Sequence, residues 1–281
     1  MNWSKLIRVI RTMKVRRRGH DDMTELTKEQ FTVLNNYYNS SIGRNPIFSD
    51  ILLNRMMSKS HIVDELIKKG LINAQFDMIT SEGVTALTPY KVSGAVILAA
   101  GPSTRCIPLS LEMPKAMFQV KGEKLIERQI RQLQEAGIQQ VTIVIGHMKE
   151  QFYYLKDKFN VRLIENIEFL RYNNIYSLYL AKDYLADSYI CSCDDYFTEN
   201  PFNQYEYESF YAGIHVDKPT NEMYVYTDED LRIVKIKKDL SKGNVVLGHS
   251  FWKKIFLIHL LNMLRKIKMK VSTQIPFGNG L

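Results

Sequence analysis

The stretch from Ala95 to Ile130, AVILAAGPSTRCIPLSLEMPKAMFQVKGEKLIERQI, constrains this chain more than any other. AVILAA is apolar without alternation, as expected of a strand buried on both faces of a parallel sheet. It delivers Ala99, Ala100 and Gly101 at its carboxyl end, where open parallel sheets bind their ligands. Small side chains there let backbone N–H groups approach a phosphate closely. Arg105 follows with a fork suited to phosphate oxygens, and Pro114 and Lys115 come next, the lysine as a compact point charge. A glycine-bearing loop alone is weak evidence. The strand, the loop, the arginine and the Pro-Lys pair together point to a polyphosphate site.

The chain around this stretch alternates strand and helix. The pattern predicts a helix from Leu125 to Ala136 ended by Gly137, an apolar strand at VTIVIG and a helix from Lys149 to Phe159. A strand from Val161 to Ile164, a helix from Ser177 to Leu185 and a strand at SYICSC opening onto Asp194 follow. This order implies an α/β fold with helices on both faces of a parallel sheet. Antiparallel strands are expected at Phe210–Val216, Met223–Tyr226, Arg232–Ile236 and Val245–Phe251, so the sheet is mixed. Residues 93–252 make up this domain.

Two pieces precede it. Residues 1–22 place Trp3, Leu6, Ile7, Ile10 and Met13 at helical spacing, and read chiefly as a basic, poorly ordered extension. Residues 23–90 predict a helix capped by Thr27 with Gln30 in the capping-box position, and a short helix from Ser49 to Met57. A third helix is capped by Ser58 or Ser60 and ended by Gly70, a hairpin runs from Leu71 to Ile79, and a closing helix from Ser81 to Leu87. Helix, turn, helix and wing resemble the winged helix-turn-helix of MarR-like regulators. That resemblance would put Ser58, Lys59, Ser60 and His61 at the major groove of DNA. The unit nevertheless holds six basic and seven acidic residues, against the basic face DNA demands. Its role is therefore left open between DNA binding and use in dimerisation, as a homodimer, or ligand sensing.

The net charge of +8 belongs to the two ends. Residues 1–22 hold seven Lys or Arg against two Asp, and residues 253–281 hold six and no acid, so the interior is slightly acidic. Global charge thus says little about what the middle binds. Cys106, Cys191 and Cys193 show neither zinc spacing nor a disulfide framework. No apolar run reaches the ~18 residues of a membrane-spanning helix, and no signal peptide opens the chain, so the reading is cytoplasmic.

The segment from Ala95 resembles the nucleotidyltransferase superfamily signature, roughly L-A-A-G-x-G-x-R-x-x-P-L-[TS]-x-x-x-P-K. With GHMKEQFYYLKDKFNVRLIEN, YNNIYSLYLAK, SYICSCDDYF, TNEMYVY and GHSFW in order, it is similar to the phosphocholine cytidylyltransferases of bacterial choline incorporation. The resemblance implies a Rossmann-like nucleotidyltransferase domain that takes CTP and a small phosphorylated acceptor. It implies nucleotide binding by Leu98, Ala99, Ala100, Gly101, Ser103, Thr104, Arg105, Lys115, Gly146, Asn173 and Asn174. Lys115, Arg105 and Asp194 carry catalysis, with Asp194 holding Mg²⁺. Tyr176, Tyr196, Glu222 and Trp252 form the acceptor site, aromatic faces and a carboxylate being what a trimethylammonium head needs.

Several departures argue for impairment of this copy. Ser103 stands where the signature has its second Gly, and a Cβ there costs on the order of 1 kcal/mol if the backbone is left-handed. Pro102 removes a donor from the loop. Asp195 replaces the usual Asn, and Met223 stands where similar proteins carry Trp. After Trp252 the composition shifts abruptly to a basic tail with no acidic residue, read as a truncated or frame-shifted frame lacking a second metal carboxylate. Two other functions stand beside the first: a sugar-1-phosphate nucleotidyltransferase, and a non-catalytic nucleotide-sensing DNA-binding regulator.

Overall fold

The computed structural model describes residues 7–11, 25–44, 60–171, 174–220, 222–229, 231–238 and 242–255. The expected helix from Ser49 to Met57, Ser58, Lys59, Asn173 and the tail from residue 256 lie outside these. Ile7–Arg11 forms β1, a strand and not the turn of helix that the apolar spacing suggested. Ile7, Val9 and Ile10 are β-branched, and β10 offers them an open edge to pair with.

The helical unit follows with α1 (Lys28–Ser41), α2 (Ser60–Lys68), the hairpin β2 (Ile72–Asn73) and β3 (Met78–Ile79), and α3 (Ser81–Leu87). Thr27 caps α1 in a full capping box with Gln30. Gly70, at φ +72°, turns the chain out of α2. Leu26, Phe31, Leu34, Ile62, Leu66, Ile72 and Leu87 make its core, and the same cluster takes in Tyr90 and Tyr205. Tyr90 packs on Phe31 with centroids 4.8 Å apart and stacks on Tyr207 at 5.4 Å, while Tyr38 meets Tyr205 edge-on at 4.9 Å. Tyr38 also donates to Gln204 Oε1 (2.6 Å), Arg44 to the Phe202 carbonyl (2.8 Å), and Lys28 pairs with Glu208. The unit is thereby seated on residues 202–208 of the larger domain.

That domain runs through β4 (Gly94–Ala99), the hairpin β5 (Gln119–Val120) and β6 (Glu123–Lys124), α4 (Leu125–Glu135) and β7 (Val141–Ile145). Then come α5 (Tyr154–Phe159), β8 (Arg162–Glu165), α6 (Asn174–Leu180), β9 (Ser188–Ser192), β10 (Phe210–Val216), β11 (Met223–Thr227), β12 (Ile233–Lys238) and β13 (Gly243–Trp252). β9, β4, β7 and β8 lie side by side and parallel, with Ile97 between Ile143 and Cys191. β13 adds antiparallel to β9, β10 to β13 and β1 to β10, while β11 and β12 branch from β13. The stretch expected as one helix from Lys149 to Phe159 instead starts as a 3-10 turn, Lys149–Phe152. The tighter turn puts Phe152 and Leu155, three apart and both fully buried, toward the core.

β4 explains its own sequence. Ala95, Ile97 and Ala99 enter a core with Ile126, Ile130 and Leu133 of α4, and Val96 enters a second core with Ala181, Leu185 and Ile190 on the other face. With both faces covered, no polar position survives in the strand. From β4 the chain moves outward to β7 and β8, then returns to lay β9 on β4's other side. The order reverses between β4 and β9, and a crevice opens beyond their carboxyl ends. Among the described residues, no helix is long and apolar enough to cross a membrane.

Candidate active site

The loop leaving β4 supplies one wall of this crevice. Ala100 is buried and Gly101 exposed, and a Cβ on Gly101 would meet nothing within 4 Å. Ser103 is left-handed, with φ +53° and ψ +38°. A side chain in that conformation costs roughly 1 kcal/mol, so the strain foreseen for this substitution is present. Thr104 and Arg105 follow in a 3-10 turn, Thr104–Cys106. Arg105 is 85% exposed, and its Nη1 lies 3.4 Å from Glu222 Oε1.

Asp194 sits just past β9, and Lys115 opens the 3-10 turn Lys115–Met117 directly after Pro114. The two side chains, separated by 79 residues, form an ion pair, each 30% exposed. Burial opposes the Lys115 charge, but the hydrogen bond and charge of Asp194 outweigh it and raise the ammonium's pKa. Beside them, Asp195 buries its Oδ2 with no hydrogen-bond partner, and Gly248 of β13 faces it so closely that a Cβ would come within 2.9 Å. Burial first, then the Asp194 charge, push the Asp195 carboxyl up to about 7, with Lys115 pulling the other way. Burial and the same carboxylate push the Cys193 thiol up to about 12, so it stays protonated.

On the other side of the loop lies a cavity of about 420 Å³, lined by Ala100, Gly101, Pro102, Asn166, Phe169 and the α6 residues Asn174, Ile175 and Ser177. That volume suits a nucleoside-sized ligand. Gly146 lets two of these lining segments close on it: a Cβ there would stand 2.7 Å from the Ala100 carbonyl and 3.0 Å from that of Asn166. His147 N–H donates to the same Ala100 carbonyl (3.0 Å). Asn166 is buried and donates through Nδ2 to Ser177 Oγ at 3.0 Å, fixing β8's exit against α6. Asn166, Phe169 and Ser177 went unmarked in the sequence; an Asn ending the strand at RLIEN was the available signal.

The residues expected to bind the acceptor do not all converge. Half-buried Tyr176 stacks on Tyr179 (6.2 Å) within α6 beside the cavity. Tyr196 already has the Arg128 guanidinium 4.7 Å over its ring. Glu222 is 57% exposed opposite Arg105. Trp252 is a correction: it is only 4% exposed, lies in the core with Val96 and Ile190, and pairs with Ser188 at the start of β9. Asp194 follows the other end of that strand, and Trp252 packs in this core. Of the residues assigned to DNA, Ser60 opens α2, and His61 is exposed on it along with Asp64 and Glu65.

For a metal, half-buried Asp194 and the orphaned oxygen of Asp195 are the acidic groups at hand. Among the described residues no cluster of three His, Cys, Asp or Glu could hold an ion unaided. This donor set fits magnesium, which takes one or two carboxylates and completes its shell with phosphate oxygens and water.

Comparison with known proteins bears on the family and the fold. The family model of the MobA-like NTP transferase domain matches residues 95–211. A choline-phosphate cytidylyltransferase of Streptococcus pneumoniae is 42% identical over 56% of this chain and 69% of its own length. A 2-aminoethylphosphonate cytidylyltransferase of Lancefieldella rimae is 35% identical over 57% of this chain and 67% of its own. A solved structure of CTP:phosphocholine cytidylyltransferase from Streptococcus pneumoniae superposes with a TM-score of 0.62, covering 63% of this chain and 78% of that one at 39% identity.

Proposed function

This chain belongs to the MobA-like NTP transferase family of nucleotidyltransferases, and we propose that it transfers CMP from CTP to phosphocholine, giving CDP-choline and pyrophosphate. The observation that carries this reading is the Lys115–Asp194 pair, set at the topological switch point beside the loop after β4. The 42% identity to a choline-phosphate cytidylyltransferase supports the choice of base and acceptor.

A phosphate monoester, with a second pKa near ~6, is largely dianionic at neutral pH and needs no general base. Its oxygen attacks the α-phosphorus, and the bond from that phosphorus to the bridging oxygen breaks, pyrophosphate leaving with the electron pair. The obstacle is anion meeting anion, so the protein acts by positioning and neutralising charge. Lys115, its ammonium kept charged, would lie between the α-phosphate and the incoming phosphate. Arg105 and the loop amides would hold the pyrophosphate portion, while the cavity beside Asn166 and Ser177 takes the nucleoside. Asp194 would hold Mg²⁺, whose chemistry is to neutralise the triphosphate and stabilise the leaving group.

A second acceptor, 2-aminoethylphosphonate, is favoured by Met223 standing exposed where an aromatic wall is expected, and by the second relative. Pyrophosphate release with each nucleoside triphosphate against phosphocholine and 2-aminoethylphosphonate decides the matter. CTP with phosphocholine should be fastest. No release from CTP with either acceptor would end the reading.

A further inference from the structure

We propose that Arg105 and Glu222 form an exchangeable ion pair that couples the two substrates: Arg105 holds Glu222 in the empty site and releases it to the acceptor when a triphosphate arrives. This rests on the nucleotidyl-transfer reading above, and adds to it a mechanism by which one substrate prepares the site for the other.

The two residues are 117 positions apart, yet their heads lie 3.4 Å from each other. Arg105 rides on the loop after β4, which faces the phosphates. Glu222 rides on the turn ahead of β11, and that turn is anchored. The Glu222 N–H donates to Thr220 Oγ1 (3.2 Å), and the Thr220 N–H donates to the hydroxyl of buried Tyr224 (3.0 Å). The pair thus bridges the phosphate loop and the antiparallel half of the sheet.

Its exposure makes it easy to exchange. At 85% and 57% exposed, the partners hold one another weakly, as solvated ion pairs do. A guanidinium prefers the bidentate, multiply charged grip of a polyphosphate to one carboxylate oxygen. Once Arg105 turns to the nucleotide, Glu222 is left as an uncompensated carboxylate next to the phosphate loop, its backbone held by Thr220. A cationic head on a phosphorylated acceptor is the partner such a group attracts. Before the nucleotide binds, the arginine neutralises the carboxylate and would repel the same head. By thermodynamic reciprocity, an acceptor that engages Glu222 also strengthens nucleotide binding.

Calorimetric titration of the full chain tests this with α,β-methylene-CTP, magnesium and phosphocholine. In the wild type, saturating analogue should tighten phosphocholine about 3-fold or more, the scale of an exposed ion pair. In Glu222→Gln, the analogue alone should bind about 2- to 5-fold more tightly because Arg105 is free, and its effect on phosphocholine should vanish. Analogue affinity that is unchanged or weaker in Glu222→Gln would overturn the exchange while leaving nucleotidyl transfer standing. An analogue that fails to bind the wild-type chain would overturn both.

Discussion

Where the helical unit meets the sheet, Tyr90 and Tyr207 stack, Tyr38 packs on Tyr205 and donates to Gln204, and Lys28 pairs with Glu208. Beyond the carboxyl ends of β4 and β9 the same chain does the opposite. Ser103 is left-handed, Asp195 buries an oxygen without a partner among the described residues, and Arg105 reaches into solvent toward a weak contact with Glu222. The seam joins most of its groups to one another and buries aromatic rings, although Arg44 Nη1 is left buried there without a hydrogen-bond partner among the described residues. The crevice keeps charge and strain in hand for something the chain itself does not supply. Polar groups left unsettled in an otherwise well-packed fold mark where function lies.

The sharpest way to break this contrast is Lys115→Ala. Pyrophosphate release should fall about 10²–10³-fold, the scale set by losing one preorganised charge on a transition state, with little change in Tm. A matching collapse of Tm would show the Lys115–Asp194 pair to be structural, like the seam.

Glu206 gives a smaller effect at the seam itself. Its backbone N–H donates to the Tyr90 carbonyl (2.8 Å), and its carboxylate accepts from Asn203 Nδ2 (3.1 Å) and the Tyr189 hydroxyl. Burial first, then the Glu208 charge, push the carboxyl from 4.5 up to about 7 against those hydrogen bonds. Between these values the folded chain keeps a proton that the unfolded chain has lost. The contribution of Glu206 to stability is therefore greatest below pH 4.5 and is lost as the pH rises through about 7. Glu206→Gln, with no proton to lose, should exceed the wild type at pH 8 by on the order of 2 kcal/mol, discounted for partial exposure, and match it in acid. Urea midpoints at both pH values measure this, and a difference independent of pH would refute it.

Ser103→Gly is the mildest test. Relieving the left-handed side chain should stabilise by about 0.5–1 kcal/mol in thermal unfolding without slowing pyrophosphate release. Loss of rate would instead give the hydroxyl a part in binding phosphate.

What could be read ahead of the structure follows from range. The Thr27–Gln30 capping box is a local signal, and β10 through β13 fall within about two residues of where alternation put them. Lys115 and Asp194 could be named because strand ends and a Pro-Lys pair are visible in the chain. Their meeting across 79 residues could not be. Trp252 illustrates the limit: a tryptophan suits a cage or a core equally, and its burial beside Val96 and Ile190 is visible only in the fold. The spacing of Ile7 and Ile10 misled because the partner strand, β10, lies some 200 residues on. Asn166 and Ser177 build a cavity wall only once β8 and α6 are side by side.

That distant pairing of β1 shapes how the protein is made. The partner of β1 in the sheet is synthesised about 200 residues after it, roughly 10–40 s at ordinary elongation rates of about 5–20 residues per second. During that interval the nascent chain carries an unclaimed β-branched segment ahead of a helical unit whose own seat, residues 202–208, is also still to come. Until that partner arrives, β1 is an unpaired β-branched segment of the kind that other chains can pair with.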